Sequence, residues 1–397
     1  MKKTAFEQKY YVDRLGTNCV KWDGLKNAYG EPDLLPLWVA DMDFRAPDSV
    51  IEALRKTVDN GAFGYYETPD GYYDAFIAWE KEHRGYEVKR EWLSYNPGVV
   101  SGIYALVNAC TEPGDACIIL SPVYAPFMAA VRDTGRKLIS STLKEDHGVY
   151  SVDFSDFESK IVENDVKLFI LCSPHNPVGR VWTRAELETL LSVCRKHNVF
   201  VVSDEIHQDI IMPGQQQIST ATVGDYRDMV ATLTAPSKTF NLAGCQNSFA
   251  IIPNDDVRAR YNKVRSMMHI GGGNSFGYIA AEQAYTHGAE WLEGCIETIW
   301  RNFCYLRDTL AAELPAAVVS PLQGTYLAWV DLKDVFGSGN TKEYTQNRAR
   351  LALYIGDGFY ASGENKSHVR INLATSGDIV EKAVQSLIRV AKEVAAE

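Results

Sequence analysis

The 397-residue sequence has no apolar run approaching a membrane span, and residues 1–9 carry lysines without the apolar stretch that follows them in a secretory signal. This predicts a cytoplasmic protein. Positive charge is scarce: 40 Lys and Arg face 51 Asp and Glu, a formal net charge of -11. No basic footprint exists for a nucleic-acid partner, although small anions can still bind locally. The eight cysteines (Cys19, Cys110, Cys117, Cys172, Cys194, Cys245, Cys295, Cys304) form no C-x-x-C pair and read as buried free thiols. The eight histidines show no H-E-x-x-H spacing, so no metal site is expected. There is no G-x-G-x-x-G or G-K-[ST] phosphate loop, no internal repeat and no low-complexity segment. What remains is an ordinary globular composition on a chain too long for one simple core, which predicts two domains.

Four apolar runs each end in a polar cluster. Cys117-Ile118-Ile119-Leu120 leads to Ser121-Pro122-Val123-Tyr124, and Leu168-Phe169-Ile170-Leu171 to Ser173-Pro174-His175-Asn176-Pro177. Val199-Phe200-Val201-Val202 leads to Ser203-Asp204-Glu205-Ile206-His207, and Met229-Val230-Ala231-Thr232-Leu233 to Ala235-Pro236-Ser237-Lys238. Continuous runs of this length fit strands buried on both faces. Helical patterns lie between them, the clearest opened by a capping box at Thr183 to Glu186 with Leu187, Leu190, Leu191 and Cys194 on one side. The expected fold is therefore α/β, a mainly parallel sheet with helices on both faces. Ligands of such sheets sit beyond the carboxyl ends of the strands, and there Tyr124, Asn176, Asp204, His207 and Lys238 converge.

Further signals flank this core. Asp48 to Gly61 reads as a helix with a glycine C-cap, and the Tyr- and Gly-rich stretch 63–73 as a surface turn or a contact with another subunit. Pro97-Gly98-Val99-Val100 opens a helix whose free N-H groups suit an anion. Residues 36–44 run from apolar to acidic and, as a plain structural element, read as a strand packing on a neighbouring domain. Beyond Pro253 the pattern is mostly helical, with a bend at Gly271-Gly272-Gly273, half-buried strands near 324–331 and 367–373, and an amphipathic C-terminal helix.

A lysine just past a buried strand loses hydration of its ammonium form, so its amine deprotonates readily and can attack a carbonyl. A Schiff-base lysine, an acid for a ring nitrogen and an anion-binding helix start are what pyridoxal phosphate requires. Asp204 would keep the ring nitrogen protonated, Tyr124 would stack on the ring, and Asn176 and His207 would bond its hydroxyl. Val99 and Val100 would offer backbone N-H groups to the phosphate, and Arg370 a bidentate fork to a substrate carboxylate. Each residue also has a plain reading: turn residues at Tyr124 and Asn176, a solvated acid pair at Asp204-Glu205, a satisfied core histidine at His207, a salt-bridged edge arginine at Arg370.

The ordered set Ser173-Pro174-His175-Asn176-Pro177, Ser203-Asp204-Glu205-Ile206-His207, Ala235-Pro236-Ser237-Lys238-Thr239 and His368-Val369-Arg370-Ile371-Asn372 resembles the signatures of class I/II aminotransferases, fold type I pyridoxal phosphate enzymes. Trp38 to Phe44, Phe63-Gly64-Tyr65, Pro122 to Phe127 and Gly324 to Trp329 resemble the MalY/PatB branch of cystathionine β-lyases, or C-S lyases. The resemblance implies a large cofactor-binding domain over 49–287 and a smaller α+β domain combining 1–48 with 288–397. It implies a homodimer in which Tyr65 reaches the partner's cofactor phosphate, with Ser237 beside the phosphate and Ala40 and Asn176 joining Arg370 around the substrate. Ala235 and Gln246 stand where many superfamily members carry serine and arginine, which shifts phosphate binding toward backbone and Ser237. Tyr360 and Lys366 are bulkier than the branch's glycine-rich pattern before Arg370.

The reaction expected is β-elimination. Lys238 removes the α-proton, a thiolate leaves the β-carbon, and the remainder hydrolyses to pyruvate and ammonia. Cystathionine would yield homocysteine, and cysteine hydrogen sulfide. The alternatives are an aminotransferase, which returns the proton to the cofactor, and a regulatory or binding protein that retains the cofactor for structure.

Overall fold

The four expected strands become neighbours in a seven-stranded sheet of the computed structural model, which describes residues 2–337 and 341–397. Its strands run in the spatial order Leu93–Asn96, Ser248–Ile251, Val230–Thr234, Phe200–Asp204, Val166–Cys172, Ala116–Ser121 and Lys137–Thr142. The last five pair in parallel, and Ser248–Ile251 runs against both of its neighbours. Alternate residues supply two separate cores. Ile118, Leu120, Phe169 and Val201 face one, while Cys117, Ile119, Leu168 and Val202 face the other. Burial on both faces is why these strands read as unbroken apolar runs instead of alternating ones.

The helices follow their local signals. Asp48–Asn60 ends at Gly61 in the left-handed region, φ 71°, a conformation that costs glycine nothing. Thr183 and Glu186 form the reciprocal cap that opens Arg184–Lys196. Val99–Cys110 lies so close to the sheet that a Cβ on Gly102 would come within 2.9 Å of Leu233, and this approach sets the helix N-terminus over the strand ends. Of the cysteines, Cys110, Cys245 and Cys304 are half-buried, where full burial was expected; the other five are buried.

A second, antiparallel sheet orders Val318–Val319, Leu327–Asp331, His368–Asn372 and Tyr354–Ile355. The amphipathic helix Gly377–Ala396 buries Ile379, Ala383, Leu387 and Val390, as its spacing predicts. Residues 36–44 do not form the continuous strand their apolar start suggests: Leu35–Pro36 pairs with Leu351 and Ala352, and Phe44 makes an isolated bridge to Tyr11. Between these points side chains take over backbone groups of the segment. Asn372 donates to the Val39 and Asp41 carbonyls at 2.6 Å each, and Asn241 holds both N-H and carbonyl of Met42. The arm is thereby fixed across the mouth of the strand ends. Among the described residues no helix is long and apolar enough to cross a membrane.

Candidate active site

A cavity opens at the carboxyl ends of the parallel strands. Its walls include Ala40, Val99, Val100, Tyr124, Asn176, Asp204, His207, Ser237 and Lys238, nearly the whole set expected there. Each of the four central strands delivers its residue within a few positions of its last paired one, so the sheet register itself brings the side chains together.

Lys238 lies on the short helix Pro236–Thr239, and its Nζ donates to the Ala40 carbonyl at 2.6 Å. The part of its side chain that stays accessible faces the cavity. Burial brings its pKa down to about 8, with Arg370 pushing the same way and Asp41 and Asp204 opposing. Asp204 is the complement. It is buried, accepts the Ile206 N-H at 3.0 Å, and burial raises its pKa to about 7 against the pull of that bond and of Lys238. A buried acid in this condition gains from a cationic N-H brought into the cavity. His207 is held neutral by burial and by the nearby charges of Lys238 and Arg370, and its Nδ1 has no hydrogen-bond partner. It is not the satisfied core histidine of the plain reading.

Arg370 departs from its plain reading as well. It sits on a strand paired on both sides, is 2 % exposed, and donates to Asn176 Oδ1 at 3.1 Å and to the Trp38 carbonyl at 2.9 Å. Tyr354 and Phe359 lie under its guanidinium, at 4.8 and 5.1 Å. Its Nε is buried without a partner, so it retains donor capacity for an anion entering beside Asn176.

Two expected site residues do not line the cavity: Arg370 stands behind Asn176, to which it is bonded, and Tyr65 is not brought to the cavity by the single chain at all. It belongs to the irregular stretch before Asp70 and is fully exposed, in a patch with Phe63 and Tyr66. Asn247 is the residue that sequence reasoning missed. Its Oδ1 accepts from Tyr72 at 2.8 Å while its Nδ2, buried against the cavity, has no partner. Gln246, where many superfamily members carry arginine, adopts φ 48° and is exposed, and its neighbour Asn247 lines the wall.

This donor set fits pyridoxal phosphate. An amine that is readily neutral faces the cavity, a buried acid lacks a cation, and a helix start at Val99 presents backbone N-H groups with Ser237 on the same wall. The orphaned Nδ1 of His207 and Nδ2 of Asn247 are polar atoms that the protein alone leaves unsatisfied. A Cβ on Gly98 would meet nothing within 4 Å, so the backbone leaves room beside that helix start.

The chain matches the family model for aminotransferase class I and II over residues 32–387. It is 42% identical to cystathionine beta-lyase PatB of Bacillus subtilis over 92% of this chain and 94% of that one. It is 30% identical to protein MalY of Escherichia coli, over 98% of this chain and 100% of MalY. Among solved structures, cystalysin from Treponema denticola, which contains a pyridoxal 5'-phosphate cofactor, superposes with a TM-score of 0.92 at 33% identity. That match covers 96% of this chain and 98% of cystalysin.

Proposed function

The chain belongs to the class I and II aminotransferase family, and from that premise we propose that it is a pyridoxal-phosphate-dependent carbon-sulfur β-lyase. Its substrate is L-cystathionine or a related cysteine S-conjugate, and its products are a thiol, pyruvate and ammonia. The observation that carries the reading is the placement of Lys238 and Asp204 on one cavity, an amine brought down to about 8 and an acid raised to about 7.

When bound, pyridoxal phosphate would supply an electron sink for the bonding electrons of the substrate's α-carbon, reached through the substrate's amino nitrogen. Lys238 Nζ takes the α-proton as general base, and its depressed pKa keeps a usable fraction unprotonated near neutrality. Asp204 would hold the ring nitrogen by a charged hydrogen bond. Tyr124 would lie against the ring, while Asn176 and His207 would reach its hydroxyl. Val99, Val100 and Ser237 would hold the phosphate, with Asn247 Nδ2 as a further donor. Arg370, with Asn176 and Ala40, would receive the substrate carboxylate, exchanging an amide oxygen for a charged acceptor.

The proposal extends to a homodimer in which Tyr65 completes the partner's phosphate site. Its support is the exposed aromatic patch of Phe63, Tyr65 and Tyr66, remote from this chain's own cavity. The division into 49–287 against 1–48 with 288–397 draws support from the two separate sheets. A cytoplasmic setting draws support from eight unpaired cysteines, which suit a reducing compartment.

The test is pyruvate release from L-cystathionine by the purified protein loaded with pyridoxal phosphate, with and without an added keto acid. Release without keto acid is the expected result. Product that appears only with keto acid replaces the lyase with an aminotransferase.

A further inference from the structure

Lys238 stands on a single helical turn, and a single turn does not hold itself. The helix Pro236–Thr239 closes one backbone bond at its end, Phe240 N to Pro236 O at 2.9 Å, so outside contacts must fix its orientation. On the cavity side these contacts are the Lys238 bond to Ala40 and the Asn241 bonds to Met42 and Phe44. The first must break when the amine acts.

On the opposite side lies a polar network that the chemistry described so far does not use. Thr239, fully buried, donates its hydroxyl to Asp209 Oδ2 at 2.7 Å. Asp209 Oδ1 accepts from Trp79 Nε1 at 2.9 Å and from Arg84 Nη1 at 2.7 Å. Arg84 grips both oxygens of Glu80, at 2.8 and 2.7 Å, and Gln208 donates to Glu80 at 2.7 Å. The side chains of Arg84, Glu80 and Asp209 are at most 3 % exposed, so solvent does not dilute these bonds. Asp209 remains ionised because Arg84, Trp79 and Thr239 together outweigh its burial.

The network joins three elements. The helix Asp70–Arg84 supplies Trp79, Glu80 and Arg84; the loop that follows the strand ending at Asp204 and carries His207 into the cavity supplies Gln208 and Asp209; the Lys238 turn supplies Thr239. We propose that Asp209 is a positioning residue for Lys238, holding the lysine turn through Thr239 in fixed register with the strand end of Asp204 and the loop that bears His207. It touches no cavity atom. Because the Thr239 bond involves none of the reacting groups, it persists while the amine leaves Ala40, and it defines where the amine returns. The inference rests on the reading of Lys238 as the catalytic base.

The decisive variant is Thr239→Val, which keeps the branched shape and removes the donor. In the cofactor-loaded enzyme kcat for pyruvate release should fall about tenfold to a hundredfold. KM for L-cystathionine should stay within about twofold, because substrate binding is untouched. The charged groups facing Lys238 are Asp41, Asp204 and Arg370, and none is altered. A displaced amine therefore also moves the pH midpoint of the visible absorption of the lysine-bound cofactor, and Thr239→Ser restores both readouts. Glu80→Gln loosens the far end of the network and should lower the melting temperature alone.

If Thr239→Val behaves like Glu80→Gln, with wild-type kcat and midpoint, the network is only structural and the inference is overturned. Should Thr239→Val not fold, Asp209→Asn carries the same test, with lowered kcat and moved midpoint against wild-type values of both. Wild-type protein that gains no visible absorption with pyridoxal phosphate and releases no pyruvate overturns the reading of Lys238 itself, a result distinct from an active wild type with an indifferent Thr239→Val.

Discussion

Two lysines lie against the same arm, and they have met different ends. Lys21 is wholly buried and ion-paired to Asp43 at 2.8 Å, while Trp22 Nε1 takes the other carboxylate oxygen at 3.0 Å. Lys238 has no carboxylate in contact and a backbone carbonyl as its hydrogen-bond partner. A buried ammonium with an acid at contact distance becomes part of the scaffold, since losing either member strands a charge. One offered only a carbonyl and a cavity is pushed toward the free amine, which is the form that accepts protons. The same residue type is thus structural or reactive according to the atom opposite it.

The sharpest way to break this contrast is to delete each lysine. Lys238→Ala should lower pyruvate release by about 10⁴-fold or more and leave the melting temperature within a few degrees; a variant with residual turnover near wild type would end the assignment. Lys21→Ala should do the reverse. Asp43 keeps Arg14 at 3.6 Å and Trp22 but loses its buried contact partner, which should destabilise the protein by about 1.5 to 3 kcal/mol, read as a fall in the urea midpoint, while kcat of the folded protein stays within about twofold. If turnover vanishes at temperatures where Lys21→Ala is still folded, the two lysines are not separable.

A smaller effect sharpens the comparison through pH. With the amine at about 8, its protonated form dominates below that value and cannot act as a base. The rate should therefore drop up to about tenfold per unit on the acid side and level off above about pH 8; a flat profile between about pH 6 and 8, or a rise that continues unchanged to about pH 10, would contradict an amine that titrates near 8.

The smallest effect concerns an unpaired buried charge with no cavity to face. Glu205 accepts from Ser203 and Thr220, its Oε2 has no partner, and burial raises its pKa to about 7 from 4.5. The folded state thus binds its proton more tightly than the unfolded chain. Stability from this group is complete below its ordinary value and is lost as pH rises through about 7. Glu205→Gln should be more stable than wild type by about 1 to 3 kcal/mol near pH 8.5, an advantage that shrinks toward pH 5. Equal stability of the two proteins at both values would show that Glu205 is compensated after all.

Much of the site was legible because parallel strands buried on both faces leave unmistakable apolar runs, and ligands gather at their ends. Tyr124, Asn176, Asp204, His207 and Lys238 were readable for that reason. The irregular course of residues 38–44 was not, since it depends on Asn241 and Asn372, far away in the chain and without any local periodicity. The network around Asp209 was hidden for the same cause: Trp79 and Asp209 are 130 positions apart, and each reads locally as an ordinary helix or loop residue. Asn247 was lost to a single left-handed residue before it, which pattern matching on residue type does not register.

The arm has a consequence for the making of the protein. The carbonyl that receives Lys238 belongs to a segment held by Asn372, across sequence separations of 331 and 333 residues. At ordinary rates of translation a chain of this length takes roughly 20 to 80 s to synthesise. The residues of the large sheet, which end at Ile251, emerge well before Asn372. A chain that stops short of Asn372 therefore carries every strand of the large sheet and still lacks the side chain that holds one wall of the cavity.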